Sequence, residues 1–336
     1  MQPSNERSHA PMFFLVIPCF NEEEVLHETA SRLRTKFDQL IQDRLADPES
    51  RVLFVDDGSK DSTWKIISEL HDEDSLFSGL KLSRNEGHQS ALLSGLLYAA
   101  RYADAIGSMD ADLQDDINVL DQMLEKIAEG YDVVYGVRNN RDTDTGFKRW
   151  TAQTFYKFQK SMGVDTVYNH ADYRVITKRV AEDLGEYKEV NLFLRGIIPL
   201  IGYRSCCVYY SRGERFAGES KYNLKKMVEF AVDGITSFSI KPIKMIAVSG
   251  FIIFLLSLIA LIYLLIGHAV GNVQIGWTST MASIWLLGGL QLFAIGIVGE
   301  YVGKAYLEAK RRPRYFIDKV LLTDTQKHDG KDVTSD

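Results

Sequence analysis

The chain has 336 residues, 46% hydrophobic and 25% charged, a globular balance that excludes wholesale disorder and suggests about two structural units. Lys and Arg number 39 against 45 Asp and Glu, and the resulting net charge of −6 argues against a strongly basic nucleic-acid reader. The three cysteines, Cys206 and Cys207 adjacent and Cys19 alone, make no disulfide framework and fit a reducing compartment.

Residues 1–11 are polar. Residues 13–17 form an apolar run that ends in Pro18, too short for the apolar region of a secretory signal, and read as a buried strand. The pattern then predicts a helix over 22–41, a strand over 52–55 and a helix over 62–71. A strand at 80–82, a helix over 88–102, a strand over 105–109, a helix over 118–129 and a strand over 132–137 follow. The stretch SCCVYY, which contains Cys206 and Cys207, reads as another strand. Such alternation implies an α/β fold with a mostly parallel sheet covered on both faces. Ligands of such sheets sit outside the carboxyl ends of the strands. The polar motifs at 18–22, 56–61, 110–114 and 136–138 all fall there.

Two of these motifs have chemical content. In an extended chain the carboxylates of Asp110 and Asp112 point to one side, and their repulsion calls for a cation. A hard divalent ion held by few carboxylates and by substrate phosphates suits them, with Gln114 two residues further on. The competing reading is a solvated acidic loop, because Asp115, Asp116 and Asp121 lie nearby. Asp56-Asp57-Gly58-Ser59 offers an acceptor for a base N–H or a ribose hydroxyl, or simply a turn into a helix capped at Ser62. No G-x-G-x-x-G or Walker A pattern occurs, and the seven histidines show no zinc-ligand spacing. His88 opens its helix, either as a cap or in the site.

Residues 223–240 repeat apolar side chains at spacings of three and four, an amphipathic helix suited to a membrane interface or to packing on the preceding domain. Residues 246–266 and 277–298 carry no charge. Each has about 20 residues, enough to cross roughly 30 Å of hydrocarbon. Lys241 and Lys244 precede the first, and Lys304, Lys310, Arg311, Arg312 and Arg314 follow the second. The positive-inside rule then places both ends of a transmembrane hairpin, and the body before it, on the cytoplasmic side. Glycines at 250, 288, 289, 296, 299 and 303 offer close-packing faces for a homo-oligomer.

Taken together, VIPCFNEEE (16–24), FVDDGSKDST (54–63), LSRNEGHQSALLSGL (82–96), SMDADLQDD (108–116), YGVRNNR (135–141) and RFAGESKY (215–222) resemble family 2 glycosyltransferases. With the hairpin, the chain is similar to the bacterial polyprenyl-phosphate glycosyltransferases, relatives of dolichyl-phosphate mannose synthase and the bactoprenol glucosyltransferases. The resemblance implies a GT-A (Rossmann-like), mostly parallel sheet domain over 12–222 and an interfacial amphipathic helix over 223–242. A transmembrane hairpin over 243–303 and a basic segment and tail over 304–336 complete the expected organisation. It also implies that Pro18, Phe20, Asn21, Glu22, Val55, Asp57, Ser59 and Ala111 line the nucleotide-sugar pocket. Asp110, Asp112 and Gln114 would hold Mg²⁺ or Mn²⁺ and the diphosphate. Arg138, Arg149, Arg215, Ser220 and Lys221 would take donor or acceptor phosphate. Asp172, in His170-Ala171-Asp172-Tyr173-Arg174, would orient or deprotonate the acceptor, or pair with Arg174 structurally; the catalytic set is Asp172, Asp112 and Arg138. The chain departs from the family at Asp115-Asp116-Ile117, where many relatives have a proline after the Gln, a change expected in the loop rather than in the metal site.

The implied reaction is inverting transfer of a hexose or N-acetylhexosamine from a nucleotide diphosphate sugar, UDP-glucose or UDP-N-acetylglucosamine, to polyprenyl phosphate at the cytoplasmic face of the plasma membrane. A phosphate monoester ionises a second time near pH ~6, so such a nucleophile needs little or no base. The partners are the nucleotide sugar, the lipid and the bilayer, and no nucleic acid. A processive synthase is disfavoured by the missing Q-x-x-R-W motif, and a transporter by having only two spans. A non-catalytic membrane-anchored nucleotide-sugar sensor is the remaining alternative.

Overall fold

The first apolar run forms β1 (Phe13–Cys19), and every residue of it is buried. Burial on both sides explains why the run is continuous rather than alternating. Phe13 stacks on Phe37 on one side, while Phe14 stacks on Tyr102 on the other. The computed structural model describes residues 10–139, 170–189, 193–211, 241–269 and 276–322. These fall into two units, one ending at 211 but including 312–322, the other made of 241–269 and 276–311.

The first unit holds an eight-stranded sheet. Besides β1 it contains β2 (Arg51–Asp56), β3 (Phe77–Leu82), β4 (Ala105–Ser108), β5 (Val133–Arg138), β6 (His170–Thr177), β7 (Ser205–Tyr210) and β8 (Ile317–Leu321), in the order β7-β5-β6-β4-β1-β2-β3-β8. β6 runs antiparallel between β4 and β5, and β8 runs antiparallel to β3 at the edge. The other pairings are parallel, so the sheet is mixed. The reversal of β6 matters for function. It brings the start of β6, with Asp172, beside the carboxyl end of β4, with Asp110 two residues beyond it.

Helices α1 (Leu26–Gln42), α2 (Thr63–Glu73) and α4 (Leu120–Ala128) pack on the face that includes Phe13, Leu15 and Ile17. Helices α3 (His88–Ala99), α5 (Lys178–Glu186) and α6 (Leu194–Ile201) form a second group, in which α3 lies on β1, β2 and β4 and touches α5. Gly95 sets the depth of α3. A Cβ there would come within 2.4 Å of a Val16 methyl and 2.7 Å of a Val55 methyl. The close seat fixes the first turn of α3, which carries His88 and Gln89. The strands and helices through β5, and the strand SCCVYY, match the sequence expectation to within a few residues at their ends. β6, α5, α6 and β8 were not expected.

The second unit contains α7 (Lys241–Ala269) and α8 (Trp277–Lys310), which pack against each other. The two charge-free stretches lie inside these helices. Among the described residues, no helix is long and apolar enough to cross a membrane. Side chains at several positions of both, such as Phe254, Leu258 and Leu286, fall outside the description. Of those described, Met245, Phe251 and Ile259 in α7, and Ile284, Leu292 and Phe293 in α8, are each more than half exposed. The expected amphipathic helix over 223–242 lies outside the described residues except for its last two.

Candidate active site

The loops after β1 and β2 are joined by reciprocal hydrogen bonds. The Asn21 N–H donates to Ser59 Oγ at 3.0 Å, and the Lys60 N–H donates to Asn21 Oδ1 at 2.9 Å. The Glu22 N–H donates to Thr63 Oγ1 at 2.9 Å. Asn21 sits at φ 55°, a left-handed conformation that Asn tolerates better than most residues. Asn21 and Ser59, expected against the nucleotide, therefore bind each other's loops. Pro18 and Val55 are buried partners in neighbouring strands, and Phe20 is exposed at the strand ends.

Of the two aspartates ending β2, the one expected to bind ligand is already engaged. Asp57 accepts the backbone N–H groups of Glu86 at 2.7 Å and Gly87 at 3.0 Å, one on each carboxylate oxygen. Burial raises its pKa, opposed by these two amide bonds. Gly58 makes the approach feasible, since a Cβ at its φ of 67° would lie 2.6 Å from the backbone of Arg84 and Asn85. Asp57 thus clamps the loop between β3 and α3. Asp56 differs: one oxygen accepts the Ser59 N–H at 3.0 Å, and its Oδ2 is buried without a partner. An unsatisfied buried acceptor is costly. The two adjacent carboxylates, which spacing alone could not separate, thus have different partners within the fold.

Asp110 and Asp112 lie in a turn after β4 rather than in the extended chain that the spacing argument assumed. Leu113 takes a positive φ of 57°, and the Gln114 N–H donates to Asp112 Oδ1 at 3.2 Å. Ala111 is buried, its carbonyl accepting the Thr29 hydroxyl at 3.0 Å. Gln114 is also buried. Burial raises the pKa of Asp110, and the charges of Asp172, Asp115 and Asp112 add to the effect, with His88 opposing them. Oxygen donors under mutual repulsion fit a hard cation. Among the described residues no group of three or more His, Cys, Asp and Glu is placed to hold a metal alone. Two carboxylates are nonetheless enough for a Mg²⁺ whose remaining ligands are waters and substrate phosphates.

Asp172 is the hub of the site. Arg195 donates to it from Nε at 3.2 Å and from Nη2 at 3.0 Å, Arg174 donates from Nη2, and Gln89 Nε2 lies at 3.4 Å. His88 Nε2 is 3.4 Å from Asp172 and 3.7 Å from Asp110, so His88 lines the site and bridges the two carboxylates. Burial alone would raise the pKa of Asp172, but Arg195, the His88 hydrogen bond and Arg174 hold it well below the usual range. A carboxylate so stabilised as an anion is a poor proton acceptor. Of the two roles expected for Asp172, orientation fits this geometry. Arg174 is almost wholly buried, and its Nε and Nη1 have no hydrogen-bond partner among the described residues.

Arg138, at the end of β5, donates to Asp115 Oδ1 at 3.1 Å and from Nε to the Tyr210 hydroxyl at 3.2 Å. Tyr210 also donates to Asp115. In the departure segment, Asp116 caps a 3₁₀ turn (Ile117–Val119), accepting the Asn118 N–H at 3.0 Å. This part of the loop serves local structure. Arg149, Arg215, Ser220 and Lys221 lie outside the described residues. Gln89 was not singled out from the sequence, whereas His88 was flagged at its helix start, Asp56 within the Asp56-Asp57 pair and Arg195 within the segment VNLFLRG.

Comparison with known proteins agrees with this arrangement. Residues 14–185 match the model of glycosyl transferase family 2, and residues 241–305 match that of the GtrB C-terminal hairpin. The chain is 51% identical over 308 residues to the uncharacterized glycosyltransferase YkoT of Bacillus subtilis (strain 168), covering 92% of this chain and 91% of the relative. It is 37% identical to a prophage bactoprenol glucosyl transferase homolog of Escherichia coli (strain K12), covering 91% and 98%. It is 38% identical to the bactoprenol glucosyl transferase of Shigella phage SfII, covering 91% and 97%. With its mixed α/β sheet, the chain belongs to glycosyl transferase family 2 and is a glycosyltransferase.

Proposed function

We propose that the protein transfers a hexose or N-acetylhexosamine, with inversion, from a UDP-sugar to polyprenyl phosphate at the cytoplasmic face of the plasma membrane. The observation that carries this reading is the meeting of Asp110 with Asp172 at one end of the sheet, bridged by His88, with Asp112 two residues beyond Asp110. The relatives named for glucosyl transfer to bactoprenol support the lipid acceptor.

Asp56 and the loops clamped by Asp57 and Asn21 receive the nucleoside. Asp110 and Asp112, with Gln114 beside them, would hold Mg²⁺ or Mn²⁺, which supplies charge stabilisation for the departing diphosphate. Arg138, fixed by Asp115 and Tyr210, adds positive charge to the same region. Asp172 stays ionised and orients its neighbours. The acceptor phosphate is already largely ionised above pH ~6, so attack requires no proton transfer to the enzyme.

The two long helices support embedding in the bilayer. Their sequences over 246–266 and 277–298 are free of charge, and large apolar side chains such as Phe251, Ile259, Leu292 and Phe293 are exposed among the described residues. Basic residues at both outer ends favour cytoplasmic termini. The assay that tests the reading incubates the full-length protein with undecaprenyl phosphate, Mg²⁺ and a panel of labelled nucleotide sugars. Label in the lipid extract from one donor supports it. Its absence with every donor, from folded protein, contradicts it.

A further inference from the structure

Arg195 belongs to the segment VNLFLRG, read from the sequence only as a contact to the sugar or the lipid, and has no part in the scheme above. It lies in the first turn of α6, whose leading N–H, from Leu194, donates to Gln89 Oε1 at 3.1 Å. Gln89 also contacts Asp172, so one side chain joins the start of α3, the start of β6 and the start of α6. Arg195 then grips Asp172 through two nitrogens. Three charged groups are thereby stacked with graded exposure: Arg174 at 1%, Asp172 at 5% and Arg195 at 30% of side-chain surface. The inner pair is sealed, and only the outer guanidinium reaches solvent. It does so at the strand ends, on the carboxylate that His88 links to Asp110.

Stability alone does not explain such a stack. A buried Arg–Asp–Arg triad costs desolvation that apolar residues of the same volume avoid, and here two buried Arg174 nitrogens are left without partners. What the stack achieves is a planar cation held in one orientation, in a first helical turn where the dipole also favours negative charge. Pre-ordering of this kind lowers the entropic cost of binding an anion.

We propose that Arg195, oriented by Asp172 and Gln89, is the seat for the phosphate monoester of the acceptor. The proposal rests on the reading above that the acceptor is a lipid phosphate. It assigns to α6 the role of presenting that phosphate beside Asp110 and Asp112.

The test is calorimetry on the full-length protein in detergent, with UDP and Mg²⁺ present. The probe is citronellyl phosphate, a short prenyl phosphate monoester. Arg195→Ala is expected to weaken probe binding at least tenfold and Arg195→Lys by less, while both bind UDP within twofold of the parent. Arg195→Gln, close in size, carries the test if the alanine variant does not fold. Unchanged probe binding in the alanine or glutamine variant overturns the proposal, as does equal weakening of UDP and probe, which marks a structural role. A parent protein that does not bind the probe overturns it too. Arg195-dependent probe binding without sugar transfer from any donor supports the seat and overturns the transferase reading instead.

Discussion

Asp115 and Arg138 form an ion pair of 3.1 Å across the gap between the segment after β4 and the end of β5. The carboxylate is almost fully buried, with 1% of its side chain exposed, and the guanidinium is 24% exposed. Tyr210 binds both partners. This pairing ties the loop carrying Asp110 and Asp112 to a cation at the end of β5, across the intervening β6.

Removing one member should therefore be costly. Asp115→Ala leaves a partly buried guanidinium and a buried hydroxyl without their acceptor, and a loss of about 3–5 kcal/mol is expected. Urea denaturation in detergent measures it. A midpoint equal to that of the parent would show that the pair contributes nothing.

The adjacent aspartates of β2 should separate by phenotype. Asp57→Asn removes one of two acceptors for the Glu86 and Gly87 amides, so about 1–3 kcal/mol of local stability is lost. Faster hydrogen exchange at Glu86 and Gly87 is the readout. Asp56→Asn should leave those amides protected and weaken UDP binding about tenfold, the equivalent of about 1.4 kcal/mol. The opposite pattern would return the nucleotide contact to Asp57.

Gly95 is the packing test of the fold. An added methyl meets Val16 and Val55 at distances that require α3 to move. Gly95→Ala should cost about 1–3 kcal/mol, the range for overpacking, although alanine is the better helix former. It should also lower activity, because His88 and Gln89 ride on α3. A stabilised, fully active variant would mean that α3 is not held at this depth.

The pH profile distinguishes the roles of Asp172. Its folded pKa is depressed, so the stability it contributes is present above the unfolded value of about 3.9 and is lost as pH falls through the folded value. Asp172 therefore stays charged across the neutral range and sets no acidic limb there. The acidic limb of activity should follow the acceptor phosphate, near pH ~6. An acceptor phosphonate with a higher second pKa should move that limb upward by the same amount. A limb that stays in place would assign it to the enzyme.

Legibility in the sequence followed burial. β1 and β2 are apolar on both faces and end abruptly in polar motifs, which made them and the ends they present readable. β6 begins His-Ala-Asp-Tyr-Arg and buries Asp172 and Arg174, so its charges masked a strand that only tertiary pairing explains. β8 has exposed side chains at four of its five positions and is recruited by the free edge of β3, a cause that lies over 200 positions away in the chain. Within the site, spacing singled out Asp110 and Asp112, while Asp172 and Arg138 came from the family resemblance. Arg195 was read only as part of the segment VNLFLRG, because its place on Asp172 is set by the fold.

The central claim is transfer of sugar to a lipid phosphate with Asp110 and Asp112 at the donor diphosphate. The most direct measurement compares the parent with Asp110→Asn and Asp112→Asn in lipid-extractable label from UDP-sugars, with Mg²⁺ and after chelation. The account predicts transfer by the parent, its loss on chelation, and a fall of at least a hundredfold in both variants with membrane insertion retained. Full transfer by either variant, or by the chelated parent, would contradict it.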